Sequence, residues 1–179
     1  MHLTQREWWT ALHGMIFGAG FLLAFAASIF ELSSLRNEWL TPEGARRGQR
    51  RLVIGTWAMV ILAWATVIVG TYAVYPWYRA KPPKDMTNVA LADYPRSLLL
   101  SKPQTAEWHT FGMEWKEHVG WFAPILATAV AVVVSGYRRQ LLRDQHVRRA
   151  LLFMLSVAFV SASIAGSLGA FLDKAAPTR

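Results

Sequence analysis

Apolar residues in this chain gather into four long blocks, roughly 8–35, 52–78, 118–137 and 150–172, instead of recurring at the three- and four-residue intervals of soluble amphipathic helices. Each block supplies the twenty or so consecutive apolar residues that carry a helix across a bilayer. The pattern predicts an all-α integral membrane protein, a four-transmembrane-helix bundle that forms a single membrane domain over residues 1–179. The one long non-apolar stretch, 80–104, is punctuated by Pro82, Pro83, Pro95 and Pro103 and leads into a polar and aromatic pre-helix over 105–117. Its Leu98, Leu99 and Leu100 have no use in a solvated linker, so they predict docking over the mouth of the bundle or onto a partner. Pro124 cannot donate to residue 120 and crowds that carbonyl, which predicts a kink just beyond His118.

Composition and charge narrow the picture. The chain is 54% hydrophobic with 9 Trp, and Trp8, Trp9 and the run Tyr75 to Tyr78 fit interfacial aromatic belts. The first block does not read as a cleavable signal peptide: its apolar core is too long, and Glu31 and Arg36 follow it without a small-residue cleavage site. The net charge of +8 does not point to nucleic acid. Arg36, Arg46, Arg47, Arg50 and Arg51 follow the first block, and Arg138, Arg139, Arg143, Arg148 and Arg149 follow the third, so two short connections hold ten of the 19 basic residues. The positive-inside rule makes those connections cytoplasmic and puts both termini on the outer, non-cytoplasmic side. With no cysteine, the chain has no disulfide, no iron–sulfur cluster, no thiolate–copper site and no covalent c-type haem.

Histidine within a membrane helix is costly without a partner or a role. Counted at about 100° per residue, His13 falls on one face with Gly20, Ala24, Ala27 and Glu31. His118 opens the third span as His13 opens the first, and Arg50-Arg51 corresponds to Arg148-Arg149. The chain thus carries a faint repeat of helix pairs, which a pseudo-two-fold axis along the membrane normal would relate. By the charge rule His13 and His118 lie at similar depth near the outer face, as the two axial ligands of a haem b do. They are the candidate metal ligands. Gly14, Gly20 and Gly120 are candidates for close approach to the haem edge, and Arg79, Lys116, Lys81 and Lys174 for its propionates. The arrangement is similar in kind to small four-helix membrane cytochromes b, in architecture and histidine placement alone.

The other polar residues read more simply. His109, with Met113 four residues on, is an alternative ligand or a surface residue, and His146 and His2 lie outside any site. Glu107, Glu114 and Glu117 lack the paired Glu-x-x-His spacing of a carboxylate-bridged di-metal bundle. Glu31 fits capping or a pair with Arg36.

The expected function is a membrane electron-transfer subunit, a cytochrome b-type part of a membrane oxidoreductase. It would hold a bis-histidine haem b and pass electrons between a quinol pool and an outer redox partner, with quinone as a further ligand. The alternative is a cofactor-free structural or accessory subunit of a larger membrane complex. Either would sit in a bacterial inner membrane beside other subunits or a second copy. Orientation is the first thing to test: a reporter fused after Gly48 is expected to be cytoplasmic and one fused after Asp85 to be outside. The reverse pattern would exchange the sides of every histidine.

Overall fold

The computed structural model describes residues 3–35, 41–83, 90–138 and 140–177. His2, Arg36, Asp85 and Arg139, named above, lie outside the described residues. Every regular element among the described residues is helical. Four helices are long and apolar enough to cross a membrane: α1 (Gln5–Ser34), α2 (Pro42–Tyr78), α3 (Pro103–Gly136) and α4 (Gln145–Ala175). That fits an integral multi-pass membrane protein.

The helices are longer than their apolar blocks, for local reasons. Thr41 caps α2 by accepting from the Gly44 amide, Pro42 occupies the first helical position and Glu43 the first turn. The segment 42–51, read from sequence as part of a loop, is therefore helix, and Arg46, Arg47, Arg50 and Arg51 ride on its first turns. Asp144 caps α4 through the amides of His146 and Val147, so Arg148 and Arg149 are helical too. Thr4 and Glu7 close α1 with a reciprocal capping box. The pre-helix is continuous with α3, and regular helix is interrupted at Gly120 and Trp121 before resuming at Phe122. Gly120 suits that place, because a Cβ there would lie 2.9 Å from the Lys116 carbonyl oxygen.

α3 lies at the centre. Its Ala123, Ala127, Val130, Ala131 and Val134 are buried against α2 on one side and α4 on the other. α2 offers Leu52, Thr56, Met59, Val60 and Ala63 to the same core, and α4 offers Leu151, Leu155, Ala158, Ser161 and Ala165. These residues recur every three or four positions, one stripe per helix. Outward-facing residues are equally apolar, Met15, Leu23, Phe30, Ile61 and Phe153 among them, as lipid contact requires. Lipid removes the usual hydrophobic drive between helices, so close contact of small residues and interhelical hydrogen bonds must do more. Trp57 Nε1 donates to Ser135 Oγ at 3.0 Å, and Trp64 Nε1 to Thr128 Oγ1 at 3.1 Å, both joining α2 to α3. Phe25 of α1 stacks on Phe159 of α4 with ring centroids 4.4 Å apart.

The two ends of the bundle differ. At the arginine end, Arg51 Nε pairs with Glu31 at 2.6 Å, which gives Glu31 a partner other than the Arg36 its sequence neighbourhood offered. Gln49 Nε2 donates to the Arg138 carbonyl, tying α2 to the α3–α4 connection. At the opposite end, which carries both termini, a short helix over Pro95–Leu100 lies on the bundle. Leu99 is fully buried there with Tyr78, Met113 and Leu172, and Thr105 Oγ1 binds its carbonyl at 2.7 Å. The leucine cluster thus closes over the mouth of its own bundle, while Leu100 stays exposed.

The tryptophan hydrogen bonds yield a thermodynamic test. In a double-mutant cycle of Trp64→Phe and Thr128→Val, followed by reversible unfolding in mixed detergent micelles, a coupling of about 0.6 kcal/mol, and no more than about 1.7, is expected. Strict additivity would mean that the bond contributes nothing.

Candidate functional site

Three helices change their winding at the termini end. α1 is π-helical over Leu12–Gly18, α2 over Gly70–Val74 and α3 over Trp108–Met113. π-turns are rare and recur at functional sites. Here they hold His13, Gly70 and His109.

His13 lies against α2. Its Nδ1 donates to the Thr66 carbonyl at 2.7 Å, which leaves the lone pair on Nε2. The ring fills the place of a side chain on Gly70: a Cβ there would come within 2.6 Å of His13 Cε1 and 3.0 Å of Nδ1. Glycine is what admits the imidazole, and α2 turns from α to π at that residue. A second glycine plays the same part for Lys116, whose Nζ lies 2.8 Å from where a Cβ of Gly169 on α4 would be. The Lys116 ammonium is within electrostatic reach of His13 and also of Asp173 and Glu117.

About two turns farther out, His109 is buried in a chain of hydrogen bonds. Arg96 Nε donates to its Nε2 at 3.1 Å, and its Nδ1 lies 2.9 Å from the Tyr78 hydroxyl. A guanidinium only donates, so Nε2 carries the lone pair, Nδ1 carries the hydrogen, and Tyr78 accepts. The imidazole in this arrangement is neutral, since an imidazolium would turn an N–H toward Arg96. Tyr78 keeps its own hydroxyl hydrogen for another acceptor. Arg79 donates to the Tyr75 hydroxyl at 2.6 Å and lies over that ring at 5.2 Å. The Tyr75 hydroxyl stands beside the Glu117 carboxylate. Glu117 Oε1 is the single buried side-chain oxygen or nitrogen without a hydrogen-bond partner among the described residues.

The residues expected to hold haem are not brought together. Lys116 and His118 are two positions apart, about 200° around α3. Lys116 turns inward toward His13, and His118 leaves the opposite side and is exposed. His118 Nδ1 donates to the Glu114 carbonyl of its own helix at 2.7 Å. Both rings thus keep Nε2 free, as metal-bound histidines do, but the two nitrogens face different surroundings. His109 has both nitrogens engaged. Gly14 meets nothing within 4 Å, Gly20 is covered by Leu62, and Gly120 faces its own helix. His13 and His118 thus leave their helices toward different surroundings, and no group of three or more His, Cys, Asp or Glu able to hold a metal ion occurs among the described residues.

Sequence reading missed the network of Tyr78, His109, Arg96 and Glu117. A signal was there: Tyr75, Tyr78 and Arg79 share one end of a span, and His109, Glu114 and Glu117 sit at the matching end of the next.

The glycine socket is testable by adding one carbon. Gly70→Ala is expected to cost about 1–3 kcal/mol by overpacking and to shift the His13 ring-nitrogen resonances. Gly14→Ala, with open space, is expected to be neutral or stabilising by up to about 1 kcal/mol. Equal effects would mean that the ring does not occupy the socket. No protein-family model, curated protein or solved structure matches this chain, so the residues of the site carry its reading.

Proposed function

We propose that this chain is a subunit of a membrane electron-transfer complex and that its contribution is proton transfer at the termini end. The arginines orient that end outward, across a bacterial inner membrane. One observation carries the reading: beside π-turns in α2 and α3, the hydrogen-bonded cluster of Tyr78, His109 and Arg96 lies near the Tyr75 hydroxyl and Glu117, whose buried Oε1 accepts no hydrogen bond. Ionisable groups inside membrane helices mark proton or ion pathways. The hydroxyls of Tyr75 and Tyr78 can pass a proton and the Glu117 carboxylate can take one, while His109, whose Nε2 already accepts from Arg96, orients the Tyr78 hydroxyl. Arg79 and Arg96 fix their orientation. A membrane oxidation that frees protons on the outer side needs such a run of groups beside it. The electrons pass through partner subunits.

The accessory-subunit reading has an observation of its own. The hydrogen bonds of His13 and His109 join α1 to α2, and α2 to α3, so the same network also works as cement.

Purification of the full chain from native membranes in mild detergent tests both readings. It is expected to bring down a redox complex whose turnover falls about a hundredfold in Glu117→Gln and in Tyr78→Phe, with assembly unchanged. Full turnover in both variants would leave the structural role alone. A reduced-minus-oxidised visible spectrum of the same material addresses haem separately. A low-spin b-type band lost in both His13→Ala and His118→Ala would establish the pairing, with α3 turned by about half a revolution.

A further inference from the structure

The membrane-facing side of α3 carries a feature that the proton network does not use. Thr110, Phe111, Glu114, Trp115, His118 and Val119 line an open groove of about 350 Å³. Trp115 and Val119 also line a second groove of about 320 Å³, which runs between α3 and α4 past Val157, Val160 and Ile164. The two share Trp115 and Val119 and together form a mainly apolar trough with the polar groups of Glu114 and His118 at one end. Phe111, Val160 and Ile164 are exposed, so the trough lies open on the outside of the bundle.

Its polar end has a defined chemistry. His118 gives Nδ1–H to the Glu114 carbonyl, so the Nε2 that it exposes is an acceptor waiting for a donor. The serines lower in the trough offer none, since Ser156 and Ser161 donate to Leu152 and Val157 of their own helix. No Lys or Arg lines either groove, and Glu114 does. A phosphate headgroup would meet a carboxylate and no cation, which argues against a phospholipid. A flat ring bearing a hydroxyl meets what it needs: an acceptor nitrogen, two aromatic neighbours and an apolar track for a tail.

We propose that this trough binds a lipid-soluble quinol. Its hydroxyl donates to His118 Nε2, its ring lies against Trp115 and Phe111, and its isoprenoid tail follows Val157, Val160 and Ile164. The inference rests on the redox reading for its biological sense and supplies that reading with a donor, but the binding itself can be measured without turnover.

The test uses the full chain in phosphatidylcholine nanodiscs with a decyl-substituted benzoquinol kept reduced, and an azido analogue of the same ring for photocrosslinking. Saturable binding is expected, with crosslinks on Trp115 or its neighbours. His118→Ala and Val160→Trp should each weaken it about tenfold or more, whereas Ile61→Ala, equally lipid-facing on α2, should not. Val160→Trp leaves the histidine in place, so a folding defect in one variant does not decide the outcome. Unchanged affinity in both variants, crosslinks confined to other helices, or equal displacement by phosphatidylglycerol would overturn the proposal. Quinol binding together with full turnover in Glu117→Gln would retain this site and remove the proton-transfer reading, and the converse result would do the opposite.

Discussion

A bilayer offers no water to polar groups, and nearly everything in this bundle follows from that constraint. Backbone groups are satisfied by helix. Thr56, Thr66, Thr128, Ser28, Ser156 and Ser161 return their hydroxyls to carbonyls of their own helices. Trp57 and Trp64 reach across to α3 because an indole N–H has no acceptor in lipid. The groups that need more than this, His13, Lys116, His109 and Glu117, collect at one end. There the π-turns and glycines give them room.

Room is supplied by subtraction. Gly70 and Gly169 each lack the carbon that would strike an inward polar side chain. That inverts the more familiar use of glycine in membrane helices, which is to bring two backbones together. Gly14 and Gly18 of α1, by contrast, meet only open space or their own helix.

The spans were legible because twenty apolar residues admit one reading in a lipid protein. Their ends were less so. Thr41-Pro42-Glu43 lies ahead of the second apolar block, yet a capping threonine, a proline at the first helical position and an acid in the first turn open a helix there. The docked leucines and the break after His118 followed from composition and from one proline. The facing of the histidines did not. A π-turn spends one more residue per turn than an α-turn, so periodicity counted across Leu12–Gly18 slips by about one residue, about 100°. The stripe that joined His13 to Glu31 on paper is cut by that slip, and single-sequence patterning contains no sign of it. The network around His109 depends on side chains from three separated segments, Tyr78, Arg96 and His109 itself, which only the folded chain brings within hydrogen-bonding distance.

The tryptophan bridges carry a mechanical consequence. Trp57 and Trp64 are seven residues apart, and so are their partners Thr128 and Ser135. The two bridges therefore act as a pair of bolts through α2 and α3: a slide by one turn, or a roll of either helix, shears both together. Those helices behave as one beam. α1, with the smallest share of its apolar stretch covered at 17%, is clamped to that beam mainly along α2.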